Sequence, residues 1–175
     1  MIKSVKWDDH AVLGSLELNF TKADGTPYPT IVLAGENGTG KTTILETLAT
    51  FLNLHSFEPF EHITYEADGG VYIAYKGDTR NFSLGFHSRR NESDGSEERV
   101  TTGAQNNRVQ ILTDSKDIRH YGCAYSKARS GFVTKKVISA QTSQLDGDRY
   151  EMDDNDDFTR IKQMLVDARQ QDSEE

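Results

Sequence analysis

The 175-residue sequence contains a single cysteine, Cys123, and no long apolar run. One thiol cannot build a disulfide framework within the chain, which favours a reducing, cytoplasmic location. The opening segment MIKSVKWDDH lacks an apolar signal core, and no stretch approaches the roughly 20 apolar residues of a membrane-spanning helix. These absences predict a cytoplasmic protein that has no membrane partner.

Apolar residues are also scarce, at 35% of the chain against 27% charged residues. This composition predicts one domain with a core and some chain outside it. The net charge of -8 is uneven, because residues 146–175 hold eleven acids and only four bases. We therefore expect a folded lobe over residues 1–145. Residues 146–175 are predicted to form an acidic C-terminal helix or tail, with the helix beginning near Asn155, as the start of a missing arm or second lobe.

The first half of the chain alternates between strand and helix patterns. Alternating apolar residues predict strands at Ile2–Trp7 and Ser15–Phe20, and the apolar run Thr30–Ala34 predicts a strand buried on both faces. An amphipathic helix is predicted from Lys41 to Leu54. Its apolar stripe is expected to comprise Ile44, Leu45, Leu48, Phe51 and Leu52.

After Phe60 the apolar spacing changes from helical to alternating. The segments FEHITYEA, VYIAYK and NFSLGF predict an antiparallel meander with a hairpin turn at Asp68–Gly70. The polar stretch His87–Arg108 predicts a long loop or disordered insertion at about residues 88–108. Further strands are expected at Val109–Leu112 and Phe132–Ala140.

A glycine-rich stretch, AGENGTGKTTILETL, lies between the predicted buried strand and the predicted helix. Gly35 and Gly40 stand five residues apart and are followed by Lys41 and Thr42, which is the phosphate-binding pattern. Glycines let backbone N–H groups curl around phosphates, the lysine reaches the terminal phosphates, and the threonine hydroxyl ligates magnesium. The predicted nucleotide-binding residues are Gly35, Glu36, Asn37, Gly38, Thr39, Gly40, Lys41, Thr42 and Thr43.

The interior of this loop is more specific than its ends. With Asn37 and Thr43, the form G-x-N-G-x-G-K-T-T resembles the Walker A loop of ABC-type ATPases, particularly the branch of SMC, RecF and overcoming-lysogenization-defect proteins. The opening of the chain, over about fifty residues, is similar to the N-terminus of those AAA-type ATPases. The resemblance implies an α/β P-loop NTPase fold, an ABC-ATPase-like first lobe with a mixed sheet and an antiparallel β subdomain.

The resemblance also implies roles for particular residues. Lys41 would stabilise charge on the transferred phosphoryl group of ATP, and Thr42 would hold Mg²⁺. The stretch Val137–Gln141 has the form of the family's Q-loop, so Gln141 would contact magnesium and place the attacking water, with Gln144 as the alternative. The implied cofactors are ATP and Mg²⁺.

Several parts of an ABC-type hydrolysis site are missing from the sequence. We find no Walker B strand ending in Asp-Glu, no Ser-Gly-Gly signature and no switch histidine; Val109–Asp114 is the nearest approach to Walker B, but no glutamate follows Asp114. The chain is therefore predicted to be a first lobe that hydrolyses ATP only with a second lobe and a dimer partner. The resemblance implies work on DNA ends, in DNA repair or anti-phage defence, with nucleic acid or an effector protein as partners.

Other readings remain open at this stage. A nucleotide-sensing module that never cleaves ATP, a GTPase and a small P-loop kinase all contain such a loop, although no Asn-Lys-x-Asp guanine reader follows it. The basic residues Lys127, Arg129, Lys135 and Lys136, interleaved with Tyr121, Tyr125 and Phe132, form a candidate nucleic-acid surface or a solvated loop face. Core packing is expected for Trp7, and an inert thiol for Cys123.

Overall fold

The computed structural model describes residues 1–76, 86–123 and 125. The chain divides into two compact units, Met1–Tyr121 and Gly122–Glu175. The fold given below is that of the first unit. The predicted boundary at residue 145, the strand at Phe132–Ala140 and the helix near Asn155 lie outside the described residues.

Six strands, two α-helices and one 3₁₀ helix make up the described part of the first unit. In chain order they are β1 Ile2–Trp7, β2 Glu17–Asn19, α1 Lys41–Leu52, β3 Phe60–Ala67, β4 Gly70–Tyr75, β5 Phe86–Asn91, β6 Glu97–Thr101, α2 Gln105–Thr113 and the 3₁₀ helix Ile118–Tyr121.

The strands form one sheet in the order β2-β1-β3-β4-β5-β6. Every pair in it is antiparallel, so the mixed sheet expected from the resemblance has no parallel pair among the described strands. The hairpin between β3 and β4 is confirmed: Asp68 and Gly69 both have positive φ, as a two-residue hairpin turn requires, and Ala67 pairs with Gly70.

The core lies between one face of this sheet and α1. The strands contribute alternate side chains, since successive residues of a strand point to opposite faces. From α1, Ile44 and Phe51 are buried while Leu48 and Leu52 pack against the core from its edge. Leu45 is 47% exposed, so its predicted place in the buried stripe is wrong. The buried strand residues are Val5, Trp7, Phe60, Ile63, Tyr65, Ala67, Tyr72 and Ala74.

The predicted buried strand Thr30–Ala34 is wrong. The segment has no strand pairing, and Val32 is 82% exposed. A strand buried on both faces needs neighbouring strands to bond its backbone, and within the described ranges none pairs with this segment. Its apolar sequence is therefore not matched by burial.

Two further predictions are wrong. The polar stretch His87–Arg108 is not one long loop, because it contains most of β5, all of β6 and the start of α2. Val109–Leu112 is helical within α2, not a strand. A four-residue segment with three apolar residues fits either structure, and only Ile111 of α2 is buried.

Candidate functional site

The predicted phosphate loop connects the unpaired segment before it to the first turn of α1. We call residues 35–42 the glycine loop. Gly38 and Gly40 adopt φ values of 84° and 85°, in the left-handed region that side chains disfavour. Gly40 is also crowded, because a Cβ there would lie 2.7 Å from Leu13 Cδ2. Both glycines are therefore required by the conformation that starts the helix.

The Lys41 side chain folds back over the glycine loop. Its ammonium donates to the carbonyl oxygens of Gly35 and Glu36 at 2.8 and 2.5 Å, and it lies 3.3 Å from Thr39 Oγ1. The Thr39 hydroxyl also donates to the Glu36 carbonyl, at 2.9 Å. Lys41 thus ties the beginning of the loop to its end and places a positive charge on the loop's inner side.

The first turn of α1 leaves backbone donors available. The Ile44 N–H donates to the Gly40 carbonyl at 2.9 Å, which begins the helical ladder, so the N–H groups of Lys41, Thr42 and Thr43 precede it. Such a helix start carries a partial positive charge. Thr42 is exposed, and Thr43 is half-buried with its carbonyl bonded to the Thr47 hydroxyl.

These residues fit the terminal phosphates of a nucleotide. An ammonium, open helix amides and a glycine backbone provide donors and positive charge for an anion. Thr42, whose hydroxyl is predicted to hold a magnesium ion, is exposed at the first turn of α1. Lys41 would exchange the two carbonyl oxygens for phosphate oxygens on binding. Gln141 and Gln144, the predicted magnesium and water contacts, lie outside the described residues.

A short turn supports the glycine loop from one side. His10 and Gly14 form an isolated antiparallel bridge, and the N–H groups of Val12 and Leu13 bond to His10 Nδ1 at 3.1 and 3.3 Å. This arrangement holds Leu13 against Gly40. His10 therefore has a local structural partner.

A second group of polar side chains, which we did not predict, lies beside β5, with three members buried and Glu98 and Asp114 partly exposed. Arg89 is fully enclosed, and its Nε donates to Glu98 Oε1 at 2.7 Å. Its Nη2 bonds to Glu98 and to Asp114, and its Nη1 lies 3.4 Å from Asp117 Oδ2, an ion pair without hydrogen-bond geometry. Asp117 in turn accepts two parallel hydrogen bonds from Arg119, at 2.8 and 2.7 Å. We call these five residues the ion cluster.

Burial sets the electrostatics of the ion cluster. Burial by itself would raise the pKa of Asp117, but the hydrogen bonds and charge of Arg119 outweigh it and lower the pKa below its usual value. Neighbouring His87 is buried and stacks on Phe57 with ring centroids 4.8 Å apart. Burial, together with the charge of Arg119, lowers the pKa of His87 to about 3, so it is neutral at pH 7.

The ion cluster also changes the interpretation of Asp114. This residue was the end of the nearest approach to a Walker B strand, but it follows the helix α2 and bonds to Arg89. The Asp-x-Arg spacing of Asp117 and Arg119 is the only local signal of the cluster in the sequence. Their pairing with Arg89 depends on the topology and has no sequence signature.

The remaining candidates have plain structural roles or lie outside the described residues. Trp7 is fully buried, which agrees with core packing. His120 Nδ1 lies 2.5 Å from the Leu112 carbonyl, and burial raises the pKa of the Cys123 thiol, as expected for an unreactive group. Tyr121 is exposed, whereas all four basic residues of the candidate nucleic-acid surface are outside the described ranges.

The described part of the chain has neither a candidate metal site nor a candidate membrane span. No group of three or more His, Cys, Asp or Glu side chains there could hold a metal ion. Among the same residues, no helix has the length and apolar character needed to cross a bilayer.

No protein-family model, curated protein or solved structure matches this chain.

Proposed function

We propose that this chain is the ATP-binding first lobe of an ABC-type ATPase of the SMC, RecF and overcoming-lysogenization-defect branch. The observation that supports it best is the glycine loop: the phosphate-binding sequence stands at the start of α1 with Lys41 folded over the loop and Thr42 exposed. This is the placement of strong donors and positive charge that a nucleotide phosphate requires.

The chain's own residues would perform the binding steps. Backbone N–H groups of residues 36–42 would surround the phosphates of ATP, and Lys41 would neutralise charge on the terminal one. Thr42 would hold Mg²⁺ together with Gln141, the role the resemblance gives to that glutamine. ATP supplies the phosphoryl group, and the metal screens its charge.

Hydrolysis would require residues that the chain does not contain. No Walker B glutamate, signature or switch histidine is present in the sequence, and the nearest substitute, Asp114, is engaged by Arg89. The same observation favours a second candidate function, a nucleotide-sensing module that binds ATP without cleaving it. In the first proposal a second lobe and a dimer partner complete the site, in a protein that acts in DNA repair or anti-phage defence.

Binding is tested by titrating the purified 175-residue chain with a fluorescent ATP analogue in the presence of Mg²⁺. We expect saturable binding that Lys41→Ala removes. The matched control is Lys22→Ala, because Lys22 is exposed and its hydrogen bonds to other described residues are made by its backbone. Absence of binding by the parent chain, or equal binding by Lys41→Ala, would contradict the proposal. Displacement by GTP but not by ATP would instead support a GTPase.

Turnover separates the two candidate functions. Phosphate release by the chain alone should be negligible in both cases, so the deciding measurement adds a lysate fraction or candidate protein that contains the signature and Walker B motifs. Stimulated release that Lys41→Ala abolishes supports the first lobe. Sustained release by the isolated chain would rule out both.

A further inference from the structure

A line of hydrogen bonds connects the centre of the sheet to the first turn of α1. The indole Nε1 of Trp7 donates to Thr47 Oγ1 at 3.0 Å. The Thr47 hydroxyl then donates back to the Thr43 carbonyl at 2.9 Å, with the Ile44 carbonyl at 3.1 Å. Trp7 and Thr47 are 40 residues apart in the chain, so this contact belongs to the tertiary structure.

The sheet end of this line lies in the core. Trp7 is fully buried at the end of β1, beside the central strand β3. Its ring packs on Phe60 at a centroid distance of 5.7 Å, and Phe60 packs on Phe51 of α1 at 6.0 Å. The indole is therefore enclosed by the core, and its N–H is the sheet's hydrogen-bond donor to α1 at Thr47.

The helix end of this line is adjacent to the glycine loop. Thr43 directly follows Thr42, the proposed magnesium ligand, and lies in the same helical turn as Lys41. A threonine hydroxyl that bonds to the carbonyl four residues earlier bends a helix slightly and fixes the tilt of that peptide group. In this chain the hydroxyl itself is held by the indole, so the tilt is tied to the sheet.

We propose that Trp7 and Thr47 are positioning residues for the nucleotide site: they set the direction of the first turn of α1 and hence of the Thr42 hydroxyl and the Lys41 side chain. The inference rests on the proposed ATP-binding function and deepens it, because it assigns the control of magnesium-dependent affinity to two residues outside the phosphate motif. A role in holding α1 on the sheet alone would affect stability without affecting that affinity.

The test uses the full chain and three variants of α1. Thr47→Val keeps the side-chain shape and removes the hydroxyl, Thr47→Ser restores the hydroxyl, and Thr50→Val makes the same exchange one turn later, where the side chain has no partner in the line. For each variant we would measure the dissociation constant of ATP with and without Mg²⁺, and the thermal midpoint of the nucleotide-free chain.

We expect Thr47→Val to weaken binding of ATP with Mg²⁺ by about three- to tenfold, the loss that corresponds to one hydrogen bond of positioning. Binding without Mg²⁺ should change less, because Thr42 then has no metal to orient. Thr47→Ser should recover the parent affinity, and Thr50→Val should match the parent chain. Trp7 is the only tryptophan, so a nucleotide-dependent change in its emission that Thr47→Val removes would provide independent support.

The results distinguish failure of the inference from failure of the function. A Thr47→Val chain that melts earlier but binds ATP and Mg²⁺ like the parent would overturn the positioning role while leaving the proposed function intact. Equal losses in Thr47→Val and Thr50→Val would do the same. A parent chain that binds no nucleotide would overturn the proposed function and the inference together.

Discussion

The glycine loop and the ion cluster are both built from charged and polar groups, but different parts of the chain hold them. In the glycine loop, Lys41 bonds to carbonyl groups only five and six residues away, on an exposed surface. In the ion cluster, the buried Arg89 bonds to the partly exposed Asp114, 25 residues away in the chain. We therefore expect the loop to exchange its contacts for a ligand, and the cluster to contribute to the stability of the fold.

This difference predicts that loss of one charge lowers the stability of the fold when the charge belongs to the ion cluster, and lowers the affinity for nucleotide when it belongs to the glycine loop. Asp117→Asn should lower the free energy of unfolding by about 3–5 kcal/mol, because it leaves the buried guanidinium groups of Arg89 and Arg119 without their shared carboxylate. Urea unfolding checks this value. The exchange Glu58→Gln at an exposed position is the matched control and should have little effect.

The nucleotide affinity of folded Asp117→Asn should equal that of the parent chain, because the side-chain contacts described for Asp117 go to Arg89 and Arg119, which are not part of the glycine loop. A stability loss below about 1 kcal/mol would place the cluster among exposed ion pairs. Such a small loss would contradict the expectation that the ion cluster, unlike the glycine loop, stabilises the fold.

The sequence separation between contacting residues also explains how much of each region could be predicted. The glycine loop, α1 and the hairpin of β3 and β4 depend on residues close in sequence, and local patterns predicted all three. Strand β5 escaped prediction because its alternation is carried by His87 and Arg89, which face the core only because Asp117 and Arg119 meet them there.

The predicted strand at Thr30–Ala34 is wrong for the opposite reason to the missed strand β5. Its composition is that of a buried strand, but burial depends on neighbouring strands, which no local pattern can reveal. The prediction for Leu45 failed in a similar but smaller way. Helical spacing predicts an apolar stripe along α1, but the sheet covers only part of that stripe and leaves Leu45 exposed.

The backbone of the glycine loop offers the next largest effect. Gly40→Ala imposes a side chain at positive φ and places its Cβ 2.7 Å from Leu13 Cδ2, whereas Gly25→Ala meets the same φ restriction, at 80°, with nothing within 4 Å. We expect Gly40→Ala to destabilise the chain by about 1–3 kcal/mol more than Gly25→Ala, the usual range for overpacking. Urea unfolding of the two variants measures the difference.

Leu13→Ala provides the control for this prediction. Combined with Gly40→Ala it should remove the clash, so the double variant should lose less stability than the two single losses added together. Additive losses would mean that Leu13 does not restrict the loop.

The buried histidine of this interior predicts that stability depends on pH. The pKa of His87 is about 3 in the folded chain against an ordinary value of 6.5, so below pH 6.5 the unfolded chain binds the extra proton. Stability should therefore fall as pH falls, by at most about 1.4 kcal/mol per pH unit from this residue.

Comparing the parent with His87→Phe between pH 6.5 and pH 5 isolates this contribution, since most carboxylates titrate below that window. The phenylalanine preserves the stacking on Phe57 and cannot take a proton. We expect a shallower slope of unfolding free energy against pH in His87→Phe. Equal slopes for the two proteins would show that His87 binds its proton as readily in the folded chain as in the unfolded chain.

The smallest expected effect concerns the segment before the glycine loop, where sequence and structure disagree most. Val32→Ala should change the free energy of unfolding by no more than about 0.5 kcal/mol, because the side chain is 82% exposed. Val5→Ala makes the same exchange at a position with no exposure and should cost about 2–3 kcal/mol, from two lost methyl groups and the space they leave. Equal costs at the two positions would mean that Thr30–Ala34 is buried, as its composition first suggested. A small cost at Val32 beside a large cost at Val5 would confirm that Val32 adds little to the stability of this chain, although its neighbour Leu33 packs against the core.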